Sequence, residues 1–266
     1  MGIGKAIVIT SGKGGVGKTT TTANIGTGLA MHGYNVVVVD TDIGLRNLDV
    51  VMGLENRIVY DIVDVVDGNC RLKQGLIRDK RFDGLYLLPA AQTKDKTAIK
   101  PEQMVELVSK LKEEFDYIII DSPAGIEQGF KNSIAGADEA YIVTTPEISA
   151  VRDADRVIGL LEAYGISNPK LIINRIRYDM VKRGDMMNVE DIVDILAIDL
   201  LGIIPDDEAI VISTNKGEPV VAEEKPLSAK AYRNICNRIL GKEVELLDLE
   251  NNEGKLSKIL KLLFSK

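Results

Sequence analysis

Eight residues near the start of the chain, Gly12-Lys13-Gly14-Gly15-Val16-Gly17-Lys18-Thr19, match the pattern G-x-x-x-x-G-K-[ST] in full. In a chain of 266 residues a chance match is on the order of one per cent from residue frequencies. Its surroundings constrain the fold further. A short apolar run, Ala6–Thr10, precedes the motif, and a segment carrying Ala23, Ile25, Leu29 and Ala30 at helical spacing follows it. Strand, glycine-rich loop and helix in that order aim several backbone N–H groups at one anion. The glycines let those groups close on phosphate oxygens, Lys18 reaches the β- and γ-phosphates, and Thr19 is placed to ligate Mg²⁺. Thr20 lies in the same first turn.

Further short aliphatic runs follow at Val36–Val39, Leu85–Leu88, Tyr117–Ile120, Tyr141–Thr144, Leu171–Ile173 and Leu201–Ile204. None alternates apolar with polar, as expected for strands covered on both faces. Helical patterns lie between several of them: Met104, Val105, Val108, Leu111 and Phe115; Val189, Ile192, Val193 and Leu196; Tyr232, Ile235, Cys236 and Ile239. Alternation of this kind predicts an α/β fold with a doubly wound, mostly parallel sheet. No internal repeat or low-complexity linker interrupts residues 1–241, which are expected to form one domain.

Composition narrows the function classes. No apolar run approaches the roughly 20 residues of a membrane span, and Ala6–Thr10 is too short for a secretory leader core. Cys70 and Cys236 have no metal-ligand spacing, and Cys236 sits on an apolar stripe, where a buried structural thiol is expected. A cytoplasmic protein follows. The net charge is −7, and Lys255, Lys258, Lys261 and Lys266 concentrate positive charge at the end, leaving −11 on the remainder. That balance opposes non-specific nucleic-acid binding by the body of the protein.

Two acidic elements fall where a phosphate site needs them. Val36–Val39 runs into Asp40-Thr41-Asp42, and Tyr117–Ile120 runs into Asp121-Ser122-Pro123-Ala124-Gly125. Both lie at the carboxyl ends of predicted strands, where open α/β sheets bind ligands. Asp121 is placed to orient Mg²⁺ through water, and Gly125 permits a turn that senses a γ-phosphate. A guanine-reading site would carry N-K-x-D. Here the run Leu171–Ile173, the last predicted strand but one, leads into Asn174-Arg175-Ile176-Arg177, which lacks the aspartate, so ATP is the expected nucleotide.

The last residues form a different pattern. Leu256, Ile259, Leu260, Leu263 and Phe264 fall within one arc at 100° per residue, opposite Ser257, Lys258, Lys261 and Ser265. A basic face against a bulky apolar one is the pattern of a helix lying in a membrane surface. Residues 255–266 are therefore expected to be a membrane-targeting helix, and the acidic, glycine-punctuated residues 242–254 a flexible tether. Five anchors at ~1.5–3 kcal/mol each nearly offset the ~1–2 kcal/mol per residue needed to order the segment. Each lysine near anionic lipid adds roughly 1 kcal/mol. One tail is marginal, whereas two on a dimer gain avidity of about 10²–10⁴.

The run Lys13-Gly14-Gly15-Val16-Gly17-Lys18-Thr19-Thr20, with its second lysine, resembles the deviant Walker A class of the MinD/ParA ATPases. Segments 40–49, 121–127 and 151–156, together with the tail, are similar to its septum-site-determining branch. In that family the extra lysine crosses a nucleotide-sandwich dimer, so the resemblance makes Lys13 a catalytic group supplied in trans, beside Lys18 in cis. It also implies that Asp42 positions the attacking water, that Asp40 supports the metal shell, and that Asn174, Arg175, Pro205, Asp206 and Asp207 meet the adenine side. Ser149, Arg152, Asp153 and Asp155 map onto the family's partner-facing helix. The implied function is an ATP-dependent homodimer on the inner membrane surface that recruits the division inhibitor MinC and is released by MinE or a topological factor. A DNA-segregating ParA-type ATPase shares the loop but calls for a basic surface that the body here lacks. A flagellar-placement relative is the nearer alternative.

Overall fold

The computed structural model describes residues 4–95 and 98–247. Its eight strands are β1 (Lys5–Thr10), β2 (Val36–Asp40), β3 (Ile77–Arg78), β4 (Leu85–Leu88), β5 (Tyr117–Asp121), β6 (Glu139–Thr144), β7 (Lys170–Ile176) and β8 (Leu200–Pro205). They form one sheet in the order β3-β4-β2-β5-β1-β6-β7-β8. Every pairing is parallel except that of β3 with β4. The seven parallel strands coincide with the seven aliphatic runs. Val36 to Val39 and Ile118 to Ile120 are wholly shielded from solvent, as two covered faces require. The antiparallel edge strand β3, only two residues long, has no counterpart in the sequence pattern.

The helix Lys18–Met31 that leaves the phosphate loop is buried over most of its length. Its small residues make that possible. A Cβ on Gly26 would lie 2.3 Å from Val38 Cγ1, and one on Gly28 would lie 2.5 Å from Cys236 Sγ. The helix thus lies against the sheet on one side and the helix Leu227–Ile239 on the other. Cys236 is fully buried, with its thiol pushed up to about 12 by that burial, in keeping with a structural role. In the helix Pro101–Glu114 the apolar stripe is Met104, Leu107, Val108 and Leu111. Val105, expected on it, is 49% exposed, because the i, i+3, i+4, i+7 stripe passes through Leu107 instead.

The packed chain continues past residue 241, the boundary expected for the domain. Arg238 donates from Nε and Nη2 to the Val244 carbonyl at 3.0 and 2.8 Å, and Leu247 is buried. Leu256, Ile259, Leu260, Leu263 and Phe264, expected from the sequence to be membrane anchors, lie outside the described residues. Among the described residues no helix is long and apolar enough to cross a membrane.

Candidate nucleotide site

The site is built on neighbouring strand ends. β1 lies between β5 and β6, and Asp40 of β2 pairs in register with Asp121 of β5. Between Thr10 and Lys18 the chain turns through Gly15 (φ 77°) and Gly17 (φ 100°), left-handed conformations that suit glycine. Gly12 is needed for another reason: a Cβ there would come within 2.2 Å of the Asp153 carbonyl oxygen. The loop therefore lies directly against the helix Ile148–Ala163.

Lys18 is buried at the centre, its Nζ donating to Ser11 Oγ at 3.0 Å. Ser11 Oγ in turn donates to the Lys13 carbonyl at 2.7 Å, so the loop is braced before any anion arrives. Burial pushes the Lys18 ammonium pKa down, while Asp121 and Asp42 favour its charge. Asp121 accepts from Thr22 Oγ1 at 3.1 Å and is held by Thr19 as well. Its carboxyl pKa is pushed up to about 6 by burial, against the opposing pull of those hydroxyls and Lys18. Asp40 is pushed further, to about 8, by burial and by the Asp121 charge. Both of its oxygens serve the backbone: Oδ1 accepts from Asp42 N at 2.9 Å and Oδ2 from Leu48 N at 3.2 Å. Asp40 therefore closes the loop that carries Asp42. Thr41 Oγ1 donates to the Asp121 carbonyl at 2.6 Å and ties the two acidic segments together.

Buried carboxylates with raised pKa values, beside one desolvated ammonium, form a site suited to a cation bound with an anion. Among the described residues no three His, Cys, Asp or Glu side chains form a metal cage. Mg²⁺ does not ask for one, since it retains waters and takes few protein oxygens together with phosphate. The Thr19 hydroxyl and the Asp121 carboxylate are hard oxygen donors of that kind, with Asp40 behind them.

Lys13 stands apart from this centre. Its Nζ lies on the rim, donating to Ser149 Oγ at 3.0 Å and to Glu147 Oε2 at 3.3 Å. Arg152 and Asp155 are exposed on the same helix, and Asp153 is half-buried against the loop. Gly125 adopts φ 90°, and Ala124 beside it packs 3.8 Å from a Cβ placed on Gly14. Asn174 is buried and braces the loop, its Nδ2 donating to the Val16 carbonyl at 2.8 Å. Arg175 is exposed at φ 59°. Pro205, Asp206 and Asp207 line a cavity of about 450 Å³ with Ile176, Arg177 and Tyr178. Asp206 N donates to the Ile176 carbonyl at 3.0 Å, which ties the ends of β7 and β8 together there. Ser11, Thr22 and Glu147 were not singled out from the sequence. Ser11 directly precedes the motif, whereas Glu147 carries no local signal in the sequence.

Fold and site together define a nucleotide-binding protein with a phosphate loop of the deviant Walker A type. Residues 7–220 match the CobQ/CobB/MinD/ParA nucleotide binding domain family. The chain is 62% identical to the septum site-determining protein MinD of Bacillus subtilis (strain 168), with 97% of each chain covered. Among solved structures, the MinC:MinD cell division protein complex of Aquifex aeolicus matches at 52% identity and a TM-score of 0.86, covering 91% of this chain and 98% of that one. The MinD of Pyrococcus horikoshii OT3 complexed with Mg-ADP matches at 32% identity and a TM-score of 0.79, covering 88% and 95%. The chain belongs to the MinD family of septum site-determining ATPases.

Proposed function

We propose that the chain is an Mg²⁺- and ATP-dependent switch that dimerises on ATP and residues on the inner face of the cell membrane. There it recruits MinC, and it returns to the cytoplasm when MinE or another topological factor stimulates hydrolysis. The contrast between the two lysines of one loop supports this reading best. Lys18 is buried among Ser11, Asp121 and Asp42, so it serves phosphates in cis. Lys13 is 41% exposed and paired with a 61% exposed Glu147. Pairs in that setting are worth about 0–1 kcal/mol, so Lys13 leaves at little cost to reach a partner's phosphates.

In this mechanism the loop N–H groups and Lys18 hold the phosphates, and Thr19 and Asp121, with Asp40 behind, hold Mg²⁺. Bound there, the metal would supply positive charge against that developing on the phosphates. Asp42 orients the attacking water, and the turn at Gly125 responds to the γ-phosphate. Asn174, which also braces the phosphate loop, meets the adenine side together with Arg175, Pro205, Asp206 and Asp207. Ser149, Arg152, Asp153 and Asp155 form the surface for MinC and the activator. The relative seen as a MinC:MinD complex is 52% identical, which supports the same partnership here. Residues 255–266 supply the membrane contact, with Leu256, Ile259, Leu260, Leu263 and Phe264 as anchors.

Sedimentation with anionic liposomes tests the reading. The wild-type chain should pellet with ATP and stay soluble with ADP. Leu260→Glu, which costs roughly 2–4 kcal/mol per tail, should abolish pelleting without lowering the melting temperature. A lowered melting temperature with pelleting retained, or a shift of duplex DNA in place of lipid binding, would overturn it.

A further inference from the structure

One guanidinium outside the groups described above gathers three segments that are distant in the sequence. Arg81 lies in the turn between β3 and β4. Its Nε donates to Asp79 Oδ1 at 3.0 Å and its Nη2 to Asp79 Oδ2 at 2.7 Å, a bidentate fork on a buried carboxylate. Nη2 also donates to the Met52 carbonyl, and Nη1 donates to the Gly217 carbonyl at 2.7 Å. The backbones being joined touch each other. A Cβ on Gly217 would lie 2.5 Å from Gly53 Cα, and one on Gly53 would lie 2.8 Å from the Gly217 oxygen.

Each clamped segment leads back to the nucleotide site. Met52 follows the short helix Leu48–Val51, whose first N–H is held by Asp40 Oδ2. The loop carrying Asp42 is closed by the Asp40 carboxylate, which accepts from Asp42 N and Leu48 N, and the short helix that continues it is anchored at its far end by Arg81. Gly217 follows the helix Glu208–Asn215, which begins at Asp207. Asp207 caps that helix through Ala209 N at 3.0 Å and accepts from Ser228 Oγ at 2.7 Å. A rigid fork with Asp79 as its fixed base joins the water-orienting side of the site to the base side.

We propose that Arg81 is a positioning residue for ATP hydrolysis, holding the Asp42 loop in register with the Asp206–Asp207 segment. What the loop does rests on the ATPase reading above, but the clamp itself does not. Lysine cannot replace this group. It carries one nitrogen at one point, whereas Arg81 reaches Asp79, Met52 and Gly217 from a spread of three.

The test uses the full-length chain with Arg81→Ala, Arg81→Lys and Gly217→Ala. Turnover of Mg-ATP, KM, melting temperature and backbone hydrogen exchange over residues 42–54 are read for each. Loss of the clamp should lower kcat at least about tenfold, since misplacement by about 1 Å at a reacting centre costs ~10²-fold. KM should stay within about threefold. Exchange of the Asp42 and Leu48 amides should quicken about tenfold while β1 and β5 stay protected. Arg81→Lys keeps a charge beside Asp79 and should restore the melting temperature without restoring kcat or loop protection. Gly217→Ala, which wedges the two backbones apart, should mimic the Arg81→Ala loop effect and decides the matter if Arg81→Ala does not fold. Full recovery of kcat and loop protection by Arg81→Lys would overturn the proposal. So would a lowered melting temperature with kcat and the exchange of residues 42–54 unchanged. A wild-type chain that hydrolyses no ATP would instead defeat the ATPase reading, and the exchange measurement would still decide the clamp.

Discussion

The centre and the rim of the nucleotide site obey different electrostatics, although a single loop supplies a lysine to each. At the centre Lys18, Asp40 and Asp121 are almost wholly withdrawn from water, and burial is the largest influence on each. At the rim the Lys13–Glu147 pair remains half in water. Groups at the centre are costly to charge and hence wait for a charged ligand, whereas groups at the rim are already satisfied and exchange partners cheaply. Affinity is thereby assigned to the centre. On the proposed function, control of turnover falls to the rim, where a second molecule can reach it.

This division can be broken from either side. The largest expected effect is at the rim and is kinetic. A positive group supplied in trans to a transferring phosphoryl is worth 10³–10⁵ in kcat. Lys13→Ala should therefore lower activator-stimulated hydrolysis by about 10³-fold, measured as phosphate release with partner and anionic lipid present. Nucleotide affinity, read by titration calorimetry, should change little because Lys18 still serves in cis. Equal stimulated activity in Lys13→Ala and wild type would remove the basis for assigning control to the rim. The next effect lies at the centre and is one of affinity. Removing one partner of a buried charge cluster costs roughly 3–5 kcal/mol. Lys18→Ala should weaken Mg-ATP binding by 10²-fold or more, and retained affinity would mean that the loop N–H groups suffice.

The two regions also differed in what the sequence disclosed. The phosphate loop was legible because its chemistry is local: the glycines, Lys18 and Thr19 are contiguous, and Asp40 and Asp121 end strands that are plain aliphatic runs. β3 was not legible, since two residues carry no period. Resemblance assigns Asn174 to the adenine side, but its bracing of the loop has no such signal. Its hydrogen bond to the Val16 carbonyl joins residues far apart in the chain, and no local pattern encodes it. Lys13 and Glu147 are separated in the same way, as are Arg81 and Gly217. Long-range polar contacts depend on how the strands are ordered, so they become readable only once β6, β7 and β8 are laid beside β1.

The smallest expected effect is one of stability, and it probes the centre without any ligand. Asp40 and Asp121 bind their protons more tightly in the folded chain than in the unfolded one, because burial raises both pKa values from 3.8, to about 8 and about 6. Between the ordinary carboxylate range and those values the folded state holds more protons than the unfolded state, so stability falls as pH rises. The contribution is fully present below about pH 4 and is lost through pH 6 for Asp121 and pH 8 for Asp40. Asp121→Asn removes one of the two groups, and it also relieves Asp40 of the neighbouring charge that helps to raise it. Relative to this variant, the nucleotide-free wild type should lose roughly 5 °C of melting temperature between pH 5 and pH 8. The variant keeps an oxygen and an amide where Thr22 reaches the carboxylate, so its packing should survive. Parallel melting curves for the two proteins across that range would mean that water enters the apo site and screens it. The centre would then differ from the rim in geometry but not in electrostatics.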